Sequence, residues 1–102
     1  NKKISLLPSN NWSENSYWLY TITINNIGEK KRNKILSNLR KKGIDTKPAF
    51  YSLNRMKPYK KYGYGSYVVS NYLSKNSLSL PSSKINKSAQ DYIVKNLLKE
   101  VN

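Results

Sequence analysis

Two prolines, Pro48 and Pro58, constrain the middle of this chain more than any other feature of the sequence. Proline fixes its own φ torsion and lacks the amide hydrogen that a helix interior or a central strand needs. The stretch from Gly43 to Gly63, which contains both prolines, therefore cannot be one helix or one strand throughout. It is rich in aromatic and basic residues, so we expect a long loop, ordered or disordered, between two regions of regular structure.

Residues 17–24 have the pattern of a β-strand because they are rich in aromatic and β-branched side chains. Alternate side chains along a strand point to the same face, and here one face is apolar throughout. That face carries Trp18, Tyr20, Ile22 and Ile24. Turn-forming residues at 25–28 then predict the end of the strand.

A helix and a second strand are predicted next. Residues 29–42 repeat apolar side chains at helical spacing, and Gly43 stands where a left-handed helix cap belongs. The apolar positions are Ile35, Leu36 and Leu39. Residues 44–47 predict a short strand, so the order strand, helix, strand is that of a split βαβ unit.

The region beyond the loop predicts a short helix around residues 67–73 and a brief strand that Pro81 stops. Asn86 is a good N-cap for a last helix. The apolar stripe of that helix is Ala89, Tyr92, Ile93, Leu97 and Val101. With residues 1–14 as an entry segment, residues 1–102 predict one α+β domain, a two-layer sandwich with helices on one face of a small, mostly antiparallel sheet.

The charge is strongly unbalanced, with 19 Lys and Arg residues against 5 Asp and Glu, a formal net charge of +14. Such a field attracts polyanions. However, an excess of lysine, asparagine and isoleucine is also what an AT-rich coding sequence produces. The charge alone therefore decides nothing about the partner.

The chemistry of a self-contained enzyme is poorly represented. The sequence has no cysteine and no histidine, which argues against a metal site and removes the commonest general base. The five carboxylates are scattered, and no glycine-rich phosphate-binding motif is present. No apolar run suits a membrane span or a signal peptide, so we expect a cytoplasmic protein. Because the first residue is not Met, we expect a piece of a longer protein.

The loop itself allows two interpretations. In one, its cations bind phosphate while its tyrosines contact a sugar or base. The residues concerned are Lys47, Arg55, Lys57, Tyr51 and Tyr59. In the other, apolar side chains anchor the loop onto the sheet and the lysines are simply solvated. Those anchors would be Phe50, Leu53, Met56 and Tyr59.

Several motifs in order resemble the C-terminal domain of the DegT/DnrJ-type sugar aminotransferases, and are most similar to enzymes such as GDP-perosamine synthase. They are YWLY at residues 17–20, LRKKGIDTKPAFYSLN at 39–54, PY at 58–59 and SLSLP at 77–81. The resemblance covers about residues 16–101.

This resemblance implies a pyridoxal-phosphate (PLP) enzyme of the aspartate-aminotransferase architecture, fold type I, that is homodimeric. Such an enzyme moves an amino group from glutamate to a nucleotide-linked keto-sugar. The resemblance places the cofactor and its lysine in an N-terminal PLP-binding domain of the same polypeptide. This chain would be the small C-terminal domain, inactive alone, with no cofactor of its own, and it would supply one wall of the substrate pocket.

The resemblance also implies which residues contact substrate. Lys47 stands where relatives commonly have a basic residue, and Phe50, Tyr51 and Tyr59 stand at aromatic positions. Asn54 replaces a usual histidine, and it can hydrogen-bond but cannot titrate. We therefore predict substrate-binding residues in this loop, and no catalytic or metal-binding residue in the chain.

A different class of function remains as an alternative, a small basic nucleic-acid-binding domain. Single-strand binders combine cationic grooves with aromatic side chains on which bases stack. The tyrosines that could serve are Tyr17, Tyr20, Tyr51 and Tyr59. Against this alternative, the tyrosines do not alternate along a second strand, and nucleic-acid or membrane partners are not expected.

Overall fold

The computed structural model describes residues 2–102, which form four strands and three helices. The strands are β1 (Ile4–Ser5), β2 (Tyr20–Ile24), β3 (Lys47–Pro48) and β4 (Ser77–Leu80). The helices are α1 (Glu29–Lys41), α2 (Val68–Asn76) and α3 (Lys87–Val101). The loop between β3 and α2 contains two short 3-10 turns, Leu53–Arg55 and Lys60–Tyr62.

The strands make one sheet in the order β1-β2-β4-β3, and each neighbouring pair is antiparallel. Since β4 lies between β2 and β3 and runs against both, β2 and β3 point the same way without touching. The predicted split βαβ unit is therefore confirmed. In the central pair, Ile22 lies opposite Leu78 and Thr23 opposite Ser77.

The hydrophobic core lies between the apolar face of the sheet and helices α1 and α3. Its buried side chains are Ile22, Ile24, Ile35, Leu36, Leu39, Ile44, Leu78, Ile93 and Leu97. The three apolar positions predicted on the first helix are all buried, and so are two from the last helix. The predicted α+β sandwich is confirmed.

Helix ends follow the predicted cap chemistry. Gly43 has φ +77°, the left-handed conformation that lets the chain leave α1 and turn back into the core. Asn86 caps α3, because its Oδ1 accepts a hydrogen bond from the backbone N of Ala89 at 2.8 Å. Within α1, Arg32 is buried and donates from Nη1 to the backbone oxygens of Ser74 and Ser77.

Two aromatic residues lie elsewhere than the sequence pattern predicted. Trp18 was expected in the first long strand on its core face, but that strand starts at Tyr20 and Trp18 is 75% exposed. Tyr17 has φ +52°, so the extended backbone is interrupted just before Trp18. Tyr92 was expected in the buried stripe of α3, but it is half-exposed and its hydroxyl donates to the backbone oxygen of Lys42 at 3.0 Å.

The short edge strands also differ from the expectation. The strand predicted over residues 44–47 is confined to Lys47–Pro48, because only there does the backbone pair with β4. Ile44 is instead buried in the core beside α1. The entry segment contains β1, which the sequence pattern did not predict.

Candidate functional site

The face of the sheet that turns away from the core is lined by hydroxyl groups. Alternation along β2 and β4 puts Thr21, Thr23, Ser77 and Ser79 on this face. The hydroxyls pair across the strands, with 2.9 Å between Thr21 Oγ1 and Ser79 Oγ and 2.8 Å between Thr23 Oγ1 and Ser77 Oγ. This face of the sheet is therefore polar, whereas the opposite face is apolar. We call the surface formed by these four hydroxyl-bearing residues the hydroxyl floor.

A cleft of about 800 Å³ lies above this floor. The loop after β3 forms one wall, the start of the chain around Leu6 to Pro8 contributes to another, and α2 closes a third side. The cleft is larger than a second cavity, of about 500 Å³, on the other side of the sheet end. Its size suits a ligand of small-molecule dimensions.

All five residues that we predicted to contact substrate line this one cleft. They are Lys47, Phe50, Tyr51, Asn54 and Tyr59. They come from an edge strand, the loop that follows it, a 3-10 turn and the residue before the next turn. The fold thus brings together residues that are up to twelve positions apart in sequence, from Lys47 to Tyr59. Their contact with a ligand stays a prediction.

The loop side chains are presented to the cleft and not tucked under the loop. Phe50 is 75% exposed and Leu53 is 65% exposed. Tyr51 and Tyr59 are about half-exposed. The interpretation in which Phe50 and Leu53 anchor the loop onto the sheet is therefore wrong.

The charge of the cleft is positive. Lys47 lines it from the edge strand, where its backbone lies opposite Ser79, and no Asp or Glu lines it within residues 2–102. A lysine ammonium attracts anionic groups, of which phosphate is a common example in ligands. The lining therefore favours an anionic or neutral ligand over a cationic one.

The side chain of Asn54 is held by protein groups. Its Oδ1 accepts a hydrogen bond from Ser52 Oγ, and its Nδ2 donates to Asn71 Oδ1 of α2 at 3.2 Å. The backbone N of Ser52 donates to Ser74 Oγ, also of α2, at 3.3 Å. These contacts attach the start of the loop to α2 and fix the orientation of the Asn54 amide.

Sequence reasoning missed the hydroxyl floor and one arginine contact. The floor could have been found, because Thr21, Thr23, Ser77 and Ser79 occupy the alternate positions of strands that were predicted. The contact of Arg55 with Tyr51 had no such signal. The guanidinium carbon of Arg55 lies 4.6 Å from the ring centroid of Tyr51, an arrangement that depends on how the loop turns.

A second cavity, of about 500 Å³, lies between the end of β4 and α3. It is lined by Tyr17 and Tyr20, whose rings stack with centroids 5.6 Å apart. The four tyrosines considered for base stacking are thus divided between two cavities, since Tyr51 and Tyr59 line the larger cleft. They do not form the single aromatic platform that the nucleic-acid-binding alternative requires.

Across residues 2–102, no three Asp or Glu side chains come close enough together to hold a metal ion. In the same part of the chain, no helix has the length and apolar character needed to cross a membrane.

Comparison with solved structures shows the same fold in two aminotransferases. Spr1654 of Streptococcus pneumoniae, described as a sugar aminotransferase and solved in PLP, PMP and apo forms, has a TM-score of 0.85 at 24% identity. TlmJ of Streptoalloteichus hindustanus, described as an aminotransferase, has a TM-score of 0.81 at 16% identity. The matches cover 97% and 99% of this chain but only 26% and 27% of those proteins.

Comparison of the sequence with curated proteins gives no match. The sequence pattern of one protein family, however, matches nearly the whole chain, over residues 1–98. That match agrees with the fold and with the motifs around the cleft. The chain belongs to the DegT/DnrJ/EryC1/StrS aminotransferase family.

Proposed function

We propose that this chain is the C-terminal small domain of a PLP-dependent sugar aminotransferase, and that its cleft is one wall of the substrate pocket. The observation that carries the proposal is the meeting of Lys47, Phe50, Tyr51, Asn54 and Tyr59 around one cleft. Family membership supplies the class of reaction. The amino donor is glutamate, and the acceptor is a nucleotide-linked keto-sugar of the kind used by GDP-perosamine synthase.

The chemistry of the cleft suits such an acceptor. A nucleotide-linked sugar presents phosphates, several hydroxyls and a flat base. Lys47 can pair with a phosphate, and the half-exposed rings of Tyr51 and Tyr59 can lie against a sugar or a base. The half-buried threonines of the floor, Thr21 and Thr23, can exchange hydrogen bonds with the sugar, because a hydroxyl both donates and accepts, whereas Ser77 and Ser79 are buried beneath it.

The lining of the cleft does not fit PLP. A PLP site needs a lysine for the cofactor and an acidic or arginine side chain beside its pyridine nitrogen. Within residues 2–102, the cleft is lined by one lysine and by no Asp, Glu or Arg. We therefore assign the cofactor to an N-terminal domain of the same polypeptide, in a cytoplasmic homodimer, and assign no chemical step to this chain.

The role left to this chain is binding and orientation. Its residues would hold the sugar nucleotide against the cofactor domain and keep water from the reacting atoms. Asn54 cannot move a proton, since its amide does not titrate, and its hydrogen bonds to Ser52 and Asn71 suit a fixed part of the wall.

The test uses the full-length enzyme with Lys47→Ala and, as a matched control, Lys31→Ala on the exposed face of α1. Loss of one charged hydrogen bond to phosphate should raise KM for the sugar nucleotide roughly tenfold. KM for glutamate should stay unchanged, and Lys31→Ala should change neither. An equal rise in both KM values would remove Lys47 from the sugar site.

A second test separates the domain assignment from the substrate assignment. The 102-residue chain supplied with PLP, glutamate and a nucleotide-linked keto-sugar should transfer no amino group. Transfer by this chain alone would contradict its assignment as a domain without a reaction centre.

A further inference from the structure

Arg55 lies directly behind the aromatic wall of the cleft. It ends the 3-10 turn Leu53–Arg55, and it is absent from the lining of the cleft. Its guanidinium carbon is 4.6 Å from the ring centroid of Tyr51, which does line the cleft. A cation at this distance is attracted by the electron-rich face of the ring.

The same guanidinium also reaches α1. Arg55 Nη2 lies 3.6 Å from Glu29 Oε2, in the first turn of that helix. Glu29 is well placed there, because an acidic side chain is favourable near a helix N-terminus. The ion pair thus gives the guanidinium a fixed position relative to the core.

The arginine is partly buried in this position. Its side chain is 26% exposed, and Nη1 is buried without a hydrogen-bond partner in the described part of the chain. A buried guanidinium nitrogen without an acceptor is unfavourable in isolation. The face of the Tyr51 ring is the electron-rich surface that this guanidinium covers.

The neighbouring residues are attached to a different helix. Asn54 donates to Asn71, and Ser52 donates from its backbone N to Ser74, both on α2. Arg55, by contrast, contacts α1 through its ion pair with Glu29. The guanidinium of Arg55 is the charged group that lies over the Tyr51 ring.

We propose that Arg55 is a positioning residue, which fixes the rotamer of Tyr51 and thereby shapes the aromatic wall of the cleft. Its contribution to substrate binding rests on the function proposed above, whereas its effect on Tyr51 does not. The planar guanidinium matters, because it can stack on the ring and reach Glu29 at once. A lysine would keep the charge but lose the flat surface.

The experiment compares the wild-type chain with Arg55→Met and with Arg40→Met, the latter removing an exposed arginine of α1. NMR scalar couplings between Hα and Hβ of Tyr51 report its χ1 rotamer. We expect one rotamer in wild type and in Arg40→Met, and averaging in Arg55→Met. Averaging already in wild type, or one fixed rotamer in Arg55→Met, would overturn the proposal.

Amide hydrogen exchange gives an independent readout of the turn. The backbone N of residue 55 donates to Ser52 O at 3.0 Å, and that of Met56 donates to Leu53 O at 3.1 Å. Loss of a cation–π contact and an ion pair should speed exchange at these two amides roughly five- to tenfold. Exchange at the core strands β2 and β4 should not change. An equal acceleration in the core would show that Arg55 serves general stability only.

Two further variants keep the proposal testable if Arg55→Met does not fold. Arg55→Lys should also show averaged Tyr51 couplings, because the stacking surface is lost. Glu29→Gln should accelerate exchange of the turn less than Arg55→Met does, since the stacking remains. A fixed Tyr51 rotamer in Arg55→Lys would overturn the role of the planar group.

The full-length enzyme supplies the functional part of the test. Arg55→Met should raise KM for the sugar nucleotide several-fold while kcat falls less, because Arg55 acts through Tyr51 and does not touch the substrate. If Tyr51 loses its fixed rotamer but KM is unchanged, the positioning role holds and the assignment of the cleft to the sugar fails. The two failures are therefore distinguishable.

Discussion

The hydroxyls of Thr23 and Ser77 lie 2.8 Å apart across β2 and β4, and they form part of the floor of the cleft. Ser77 is only 2% exposed, so water cannot easily replace Thr23 as its partner. A buried polar group that loses its partner destabilises the fold more than a pair that is removed together. This asymmetry gives a direct test of the floor.

We expect Ser77→Ala and Thr23→Val each to lower the free energy of unfolding by about 1 kcal/mol, and the double variant to lower it by clearly less than the sum. Urea denaturation of the wild type and the three variants measures this difference. Strictly additive effects would show that the two hydroxyls are not coupled.

Arg32 gives a second prediction, because its buried guanidinium serves two backbone oxygens where α2 passes into β4. Nη1 donates to Ser74 O at 2.7 Å and to Ser77 O at 2.9 Å. Arg32→Met should lower the free energy of unfolding by about 3 kcal/mol, since both oxygens lose a charged donor. Arg40→Met, at an exposed position of the same helix, should change it by less than about 0.5 kcal/mol.

The effect of Arg32→Met should also be the same at pH 6 and pH 9. Burial lowers the pKa of the Arg32 guanidinium from its ordinary value, and Glu29 opposes this effect. Arginine nevertheless stays protonated in proteins. Urea denaturation at both pH values tests this. If Arg32→Met lowers the free energy of unfolding by less than about 1 kcal/mol at either pH, the role of Arg32 at this junction is contradicted.

Gly43 and Gly65 form a matched pair for a third prediction. Neither has a heavy atom within 4 Å of where a Cβ would lie, but only Gly43 has a positive φ, +77°. Gly43→Ala should therefore destabilise the chain by about 1 kcal/mol through backbone conformation alone. Gly65→Ala should be neutral or slightly stabilising. Thermal unfolding of the two variants measures this, and equal effects would contradict it.

Glu100 gives a fourth prediction, on pH. Asn38 Nδ2 donates to Glu100 Oε2 at 2.9 Å and Lys42 Nζ lies 3.2 Å from Oε1. The hydrogen bond from Asn38, followed by the contacts with Lys42, lowers the pKa of Glu100 although burial opposes the shift. Because the folded-state pKa is depressed, the stabilisation is complete above the unfolded pKa of about 4.3 and is lost as pH falls through the folded value.

Glu100→Gln should accordingly reduce the free energy of unfolding by up to about 1 kcal/mol at pH 7, a value that allows for solvent screening of the pair. The difference from wild type should shrink at pH 3. Urea denaturation at both pH values measures it. A difference that stays constant between them would show that the charge of Glu100 contributes nothing.

Much of the fold could be predicted because its signals are local. The spacing of Ile35, Leu36 and Leu39, the position of Gly43 and the cap at Asn86 each depend on a few neighbouring residues. The alternation along β2 and β4 was read correctly for the buried face. The alternate, polar positions of the same two strands would equally have predicted the hydroxyl floor of the cleft.

The rest depended on contacts between distant parts of the chain. The start of β2 at Tyr20 coincides with the positive φ of Tyr17 just before it. The exposure of Trp18 could not be predicted from its residue type, since tryptophan usually favours burial. Tyr92 lies at the border of the α3 stripe, and its hydroxyl finds a backbone oxygen beyond α1. The contact between Arg55 and Tyr51 likewise depends on the path of the loop. That path could not be predicted from periodicity, because the two prolines rule out a regular helix or strand through the loop.

The position of β4 in the sheet has a consequence for synthesis of the protein. This strand is the last of the four to be translated, yet it fills the space between β2 and β3. Until residues 77–80 leave the ribosome, both earlier strands expose unpaired backbone groups on the sides that β4 will cover. During this interval these strand edges can pair with other chains, and chaperones that shield strand edges should act at this stage.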